Sequence, residues 1–295
     1  MTLDQLLVLA RIAETGSFRG AAQSLHRAQS AVSYAIKNLE EELGLTLLSR
    51  EDYRPRLTPA GEAVLVKAKR VLTGMEELQE LSLTLNQGDE PFLQVLVSAI
   101  VPMSPVIPAL KALRQQKPHL LLNLRVEILS VAFKILREEA DLGITEIIPQ
   151  LTNGDLLEKQ VLGSVKLFTV CAPDHPLAKA PAGVSPVELQ RHVQLIIPSS
   201  DQAAKDIKAG IVEGAEKWSV SDFASKRQLL LGGLGWGQMP QSLIQEDLDQ
   251  GRLVVIRTEA FTELSLPIYL IRRRRKRLGR CQQILWDLLH ENWLP

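Results

Sequence analysis

The sequence predicts an α/β protein in three parts: a helical head, one long connecting helix, and a two-subdomain body of alternating strands and helices. Three observations carry this. Apolar residues recur at helical spacing in the first region, about 1–58. A seam of Val64, Ala68, Val71, Met75, Leu78, Ser82 and Leu85, spaced 4, 3, 4, 3, 4, 3, follows. From Phe92 onward, short apolar runs alternate with helical patterns, as in a parallel α/β sheet. A chain of 295 residues has room for two or three domains at roughly 100–200 residues each.

In the head, Thr2 and Gln5 fit a capping box, with Leu3, Leu6, Leu7 and Ala10 behind them. Gly16 stops this helix and Ser17 caps the next, about Phe18 to Leu25. Ala21 and Ala22 are small enough there to let another helix approach. A third helix runs from about Gln29 to Leu43, and Gly44 ends it. Ala31, Val32, Ala35, Ile36, Leu39 and Leu43 lie on one side. Gln29, Ser30, Ser33, Tyr34 and Lys37 lie on the other. A short helix, a turn and a helix with a polar face of donors and acceptors fit a helix-turn-helix. Residues 45–58 read as short extended pieces around Arg50, Arg54 and Arg56, the pattern of a wing.

The long helix spans about 59–87, with Pro59 tolerated in its first turn. Leu65, Leu72 and Leu81 widen its seam, and a seam this long needs a partner. Val64, Ala68, Val71, Met75, Leu78 and Leu85 are therefore the predicted dimerisation residues. Gly88-Asp89-Glu90-Pro91 reads as a linker. The predicted domains are 1–58, 59–88 and 92–295. The last divides into subdomain I (about 92–163 and 266–295) and subdomain II (about 164–265). A cleft between subdomains is expected, since open α/β sheets bind ligands at strand carboxyl ends.

Composition excludes several classes. Hydrophobic residues make up 45% and charged residues 23%, which argues against disorder. The N-terminus has Asp4 and no basic n-region, so a signal peptide is not expected. No apolar run reaches about 18 residues, so no membrane partner is expected, and the expected location is the cytoplasm. Cys171 and Cys281 lack the spacing of a metal or redox pair, and the five histidines are scattered. Cys171, in the apolar run LFTVCAP, reads as a buried small hydrophobe. Gly232-Gly233-Leu234-Gly235 has no Walker lysine after it. With no nucleophile–base pair, metal cluster or cofactor loop, neither an enzyme nor a cofactor is predicted.

The net charge of zero is a cancellation. Residues 272–295 hold seven basic and two acidic side chains, while residues 1–271 hold 27 and 32. Residues 1–58 carry seven of each sign, three of the acids being Glu40, Glu41 and Glu42. Location decides electrostatic steering, so the total does not exclude DNA. Glu40–Glu42 read as a solvated face or a dimer contact, with an ion pair to Arg50 as the alternative. The run Arg272–Arg277 reads first as a solvated loop, then as pairing with an acidic neighbour in the oligomer, then as a DNA contact.

The pattern Gly16-Ser17-Phe18, Ala21-Ala22, Gln29-Ser30-Ala31-Val32-Ser33, Leu39-Glu40, Leu43-Gly44, Arg50 and Leu57-Thr58-Pro59-Ala60-Gly61 resembles LysR-type transcriptional regulators. Weaker likeness continues at Ala140-Asp141-Leu142-Gly143-Ile144, at Ala172–Leu177 and at Gly235–Pro240. The resemblance implies a bacterial promoter-binding regulator: a winged helix-turn-helix, a linker helix, and an effector domain like type 2 periplasmic binding proteins. It implies a dimer or tetramer, double-stranded promoter DNA and a small-molecule effector as partners, and RNA polymerase as a further candidate. A second reading, a small-molecule-binding protein whose helical head serves only oligomerisation, stays open at this point.

Site residues follow. Gln29 can read adenine, Ser30 and Ser33 can bond bases or phosphates, and Lys37 suits a phosphate. Tyr34 fits either a DNA contact or a cover for the fold. Arg50, Arg54 and Arg56 suit the DNA backbone. By resemblance, Ser98, Ala99, Ile100 and Ile128 lie at the effector cleft, with Pro198, Ser199 and Ser200 facing it. The serines fit turn capping equally well. Ala28 stands where the family often has Ser or Thr, Leu48 where Phe is common, and Ile100-Val101-Pro102-Met103 where polar residues often contact an anion. An apolar cleft of that kind would favour a ligand of apolar or aromatic character.

Overall fold

The structure, a computed structural model, describes residues 1–49, 55–86, 88–147, 156–180, 183–204, 210–258, 264–274 and 279–293. The chain divides into two compact units, Met1–Gln87 and Gly88–Pro295.

The first unit begins with α1 (Leu3–Thr15), α2 (Phe18–Ser24) and α3 (Gln29–Leu43). The predicted caps are in place. Thr2 and Gln5 form the capping box, and Ser17 Oγ accepts the Gly20 N–H at 2.9 Å. Gly16 and Gly44 close α1 and α3 in the left-handed region. Ala28 precedes α3 with no side-chain cap. Leu9, Ile12, Ala21, Val32, Ile36 and Leu39 form a fully buried core.

Two short strands, β1 (Leu48–Ser49) and β2 (Arg56–Leu57), pair antiparallel as a small wing. Glu40 fastens this wing: its Oε1 accepts the Leu47 N–H at 2.7 Å and the Leu48 N–H at 3.1 Å. This corrects the reading of Glu40 as a solvated or dimer-contacting residue. Two adjacent backbone donors near the end of α3 needed an acceptor, and Glu40 is one turn away.

Helix α4 (Pro59–Asn86) starts at Thr58, whose Oγ1 accepts the Gly61 N–H at 2.9 Å. Gly61 is required by close approach, since a Cβ there would sit 2.1 Å from the Leu47 carbonyl oxygen. The heptad seam is split in two. Ala68 is buried, and Val64, Leu65 and Leu72 pack on the helix-turn-helix core. Val71, Met75, Leu78 and Leu85 are exposed. Ala68 is therefore not available to a partner, because the chain's own core covers the start of the seam.

The second unit holds one mixed sheet. Its strands are β3 (Phe92–Ser98), β4 (Leu121–Glu127), β5 (Leu142–Glu146), β6 (Leu157–Cys171), β7 (Gln194–Ile196), β8 (Lys217–Ser219), β9 (Trp236–Pro240), β10 (Val254–Val255) and β11 (Leu264–Arg273). Helices α5 (Val106–Gln116), α6 (Val131–Leu136), α7 (Pro186–Gln190), α8 (Phe223–Leu231), α9 (Gln241–Asp249) and α10 (Arg280–Asn292) cover it. The sheet order is β4-β3-β5-β11-β6-β9-β7-β8, with β10 beside β6.

The all-parallel expectation is corrected. Strand β3 runs parallel to β4 and β5, and β7 parallel to β8 and β9. Between these halves, β11 is antiparallel to both β5 and β6, and β6 is antiparallel to β9. Helical crossovers make each half parallel. Strands β6 and β11 are long enough to pass from one half to the other, and they do so in opposite directions. Separate buried clusters support the two halves. One packs α5 and α10 on β3, β5 and β11; others pack α7, α8 and α9 around β7 and β9.

Candidate functional site

Two surfaces carry chemistry, one in each unit. On α3, the hydrophobic stripe is spent on the core: Val32, Ile36 and Leu39 are fully buried. That leaves Gln29, Ser30, Tyr34 and Lys37 exposed and Ser33 half-buried. Tyr34 is 67% exposed, so it does not cover the fold. Ala31, read with the apolar stripe, is exposed on the polar side instead. Lys37 has an i,i+4 ion pair with Glu41 at 3.6 Å, both side chains in solvent. Such a pair is worth little and releases the lysine readily. Arg56 is exposed on β2 opposite Ser49. Arg50 and Arg54 lie outside the described residues. The Arg27–Asp4 pair at 2.7 Å ties the loop before α3 to α1.

The second surface is a cavity of about 300 Å³ between the two halves of the sheet. Ser98, Ala99, Ile100, Ile128, Pro198 and Ser199, all predicted, line it. Ser200 does not. Its Oγ lies 2.7 Å from Glu127 Oε2 and 2.8 Å from Ser130 Oγ, and its N–H donates to the Ile128 carbonyl at 3.1 Å. Ser199 Oγ donates to the same carbonyl at 3.2 Å, and Asp201 pairs with Arg137. The 199–201 segment thus latches the β7 half to the end of β4. Glu127 is the centre of this latch. It is buried and accepts Lys134 at 2.6 Å and Arg125 at 2.6 Å. Burial pulls its carboxyl upward, but hydrogen bonds from Lys134, Ser200, Arg125 and Ser130 outweigh it and hold it at about 2.

The backbone just after Ser98 offers no helix N-terminus to a ligand. The Ala99 N–H donates to the Glu127 carbonyl at 2.8 Å, and α5 begins only at Val106. Val101 is buried in the core and Met103 packs against it, so Ile100 and Ile128 alone of the predicted apolar set face the cavity.

Residues 86–294 match the family model for the LysR substrate binding domain, and residues 3–62 match that of the bacterial regulatory helix-turn-helix protein, lysR family. The chain belongs to the LysR family. It is a LysR-type transcriptional regulator with a helix-turn-helix DNA-binding domain and an effector-binding domain. It is 28% identical over 283 residues to the probable HTH-type transcriptional regulator YhaJ of Escherichia coli (strain K12), covering 96% of this chain and 93% of that protein. It is 30% identical over 255 residues to the HTH-type transcriptional activator AllS of Salmonella paratyphi A, covering 85% and 82%. Solved structures share the fold. Full-length LysG from Corynebacterium glutamicum with bound effector Arg gives a TM-score of 0.53 at 24% identity, over 100% of this chain and 98% of LysG. A mutant OxyR from the same organism gives 0.56 at 22%, over 99% and 92%.

The regulator's cavity also contains residues that sequence reasoning missed. Glu146 ends β5, Lys226 lies on α8, and Leu129 adopts φ +53 beside Ile128. A carboxylate closing the short, mainly apolar run Leu142–Glu146 was the one signal available for Glu146. Lys226 sits in ASKRQLLL, which reads as an ordinary solvated helix. The basic run is also corrected in part. Arg272 is buried over the Trp286 ring at 4.1 Å and holds both Glu158 oxygens, at 2.8 and 2.9 Å. Arg273 pairs with Glu138 at 2.7 Å. Arg275, Lys276 and Arg277 lie outside the described residues. Cys171 is buried, and burial with nearby Asp174 pushes its thiol up to about 12. Among the described residues, no helix is long and apolar enough to cross a membrane.

Proposed function

We propose that α3 enters the major groove of promoter DNA. Gln29, Ser30 and Ser33 read base edges, and Tyr34 and Lys37 hold phosphates. Arg50, Arg54 and Arg56 hold the backbone at the wing. The observation that carries this reading is the division of α3: Val32, Ile36 and Leu39 are fully buried on one side, while Gln29, Ser30, Tyr34 and Lys37 are exposed on the other, interrupted only by Ala31. The exposed stretch Val71, Met75, Leu78 and Leu85 supports pairing with a second copy through α4. Two-fold pairing presents two recognition helices to a palindromic site. The assembly is a dimer or a pair of dimers, acting in the cytoplasm, with RNA polymerase as a further partner and no catalytic step. Its effector occupies the cavity between subdomain I (about 92–163 and 266–295) and subdomain II (about 164–265). Binding there shifts the geometry of the assembly on DNA.

Titration of the full-length chain against its own promoter region tests this. Gln29→Ala should weaken binding and relax preference at one position in each half-site. Lys37→Ala should weaken binding to all sequences alike and flatten the salt dependence by about one phosphate contact. Unchanged affinity in both variants would overturn the assignment of α3.

A further inference from the structure

We propose that the cavity takes a small organic monocarboxylate with an apolar body, its carboxylate received by Lys226. This rests on the effector reading of the cavity and names its ligand class. Lys226 is 5% exposed, and its side chain lines the cavity. Among the described residues, no carboxylate or carbonyl lies within ion-pair or hydrogen-bond distance of its Nζ, and its one charge contact is the Phe223 ring at 5.9 Å. A buried ammonium without an anion is costly, and native proteins rarely keep one except for use. The fold makes room for it deliberately. A Cβ at Gly237 would lie 2.8 Å from Lys226 Cε and 2.8 Å from the Leu195 carbonyl oxygen, so Gly237 leaves the lysine its path.

The rest of the lining decides what kind of anion fits. Ile100, Ile128, Leu167, Ile196, Phe223 and Leu266 surround the space with apolar surface. Gln194 is already engaged, donating to the Gly210 carbonyl at 2.6 Å and accepting the Val212 N–H at 2.9 Å. Among the described residues Lys226 is the one cation of the lining, and its walls are mainly apolar with Ser98, Ser199 and Gln238 as further polar groups, which matches one negative charge on a mainly apolar body. Sulfate or phosphate would bring a second charge with no partner. An amine is refused by Lys226. Among the described residues Glu146 forms no ion pair with the lysine; burial pushes its carboxyl up, partly offset by the Ser98 hydroxyl. A carboxyl raised in this way opposes a carboxylate ligand less than an ordinary glutamate would. The volume, about 300 Å³, is at the small end for ligand pockets.

Calorimetric titration of the full-length protein tests this without DNA. Phenylacetate, hexanoate and cyclohexanecarboxylate are each compared with the matching primary amide, with phenethylamine and sulfate as controls. At least one carboxylate should bind about tenfold or more tightly than its amide. Lys226→Met should abolish that preference while still melting cooperatively, at or above the wild-type temperature. Three outcomes overturn the proposal: no carboxylate binding, amides binding as well as acids, or sulfate alone binding. The ligand series on wild-type protein decides the matter even where the variant does not fold. A separate promoter gel shift keeps the two readings apart. Carboxylate binding without promoter binding would refute the regulatory reading and leave the ligand assignment standing.

Discussion

Two buried charged regions of the effector-binding unit are built in opposite ways. Around Glu127, a buried carboxylate meets Lys134, Arg125, Ser130 and Ser200, and every charge at its core has a partner. Around Lys226, an equally buried ammonium meets apolar side chains and an open cavity. The difference separates charge that builds the fold from charge that faces a cavity and can serve binding. A paired buried charge is conditional on its partners. An unpaired one is destabilising until a ligand arrives, and then its full interaction is available for binding.

The largest break in this comparison comes from Glu127→Ala. Lys134 would be left buried without its anion, at a cost of about 3–5 kcal/mol by urea unfolding. A loss under about 1 kcal/mol would erase the contrast. Lys226→Met should act in the other direction, raising ligand-free stability by about 1–3 kcal/mol, because it removes a desolvated charge of similar length. A destabilised Lys226→Met would mean the ammonium has a structural partner.

The pH profile sharpens the same contrast. Glu127 sits at about 2 when folded against 4.5 when unfolded, so its stabilisation is complete above about 4.5 and is lost as pH falls toward 2. Lys226 is pulled down to about 8 from 10.5 by burial, so the unfolded chain holds its proton longer. Stability should therefore rise between about pH 8 and 10.5 on its account. Stability measured in that window should lose this rise in Lys226→Met, while Glu127→Ala keeps it. A smaller effect is expected at Ser200→Ala. Losing the latch hydroxyl should cost about 1 kcal/mol and speed hydrogen exchange at the Ile128 N–H, which donates to Ser200 Oγ at 3.2 Å. The smallest belongs to Lys37→Ala, whose exposed pair with Glu41 should change stability by under about 0.5 kcal/mol. That variant marks the far end of the scale: a charge that matters to a partner and not to the fold.

The head was almost entirely legible in sequence. Thr2, Gln5, Gly16, Ser17 and Gly44 act within a turn or two of their own positions, so local chemistry settles where α1, α2 and α3 begin and end. The polar face of α3 followed from periodicity, apart from Ala31, which periodicity put on the apolar side. The body was legible as alternation but not as topology. Nothing in the residues of β6 or β11 states that they run antiparallel between two parallel halves. The cleft was half legible: Ser98, Ile128 and Ser199 line the cavity, while Ser200 serves the latch and Val101 the core.

Sequence by itself determined the family, the caps, the helix-turn-helix and the split of net charge, because each depends on residues near one another in the chain. Only tertiary structure decided which charges are partnered. Arg272 finds Glu158 across 114 positions, Ser200 finds Glu127 across 73, and Lys226 finds no anion among the described residues. Burial and pairing are properties of three-dimensional neighbourhoods, and a lysine in a helix reads the same on paper whether it faces water or an apolar cavity.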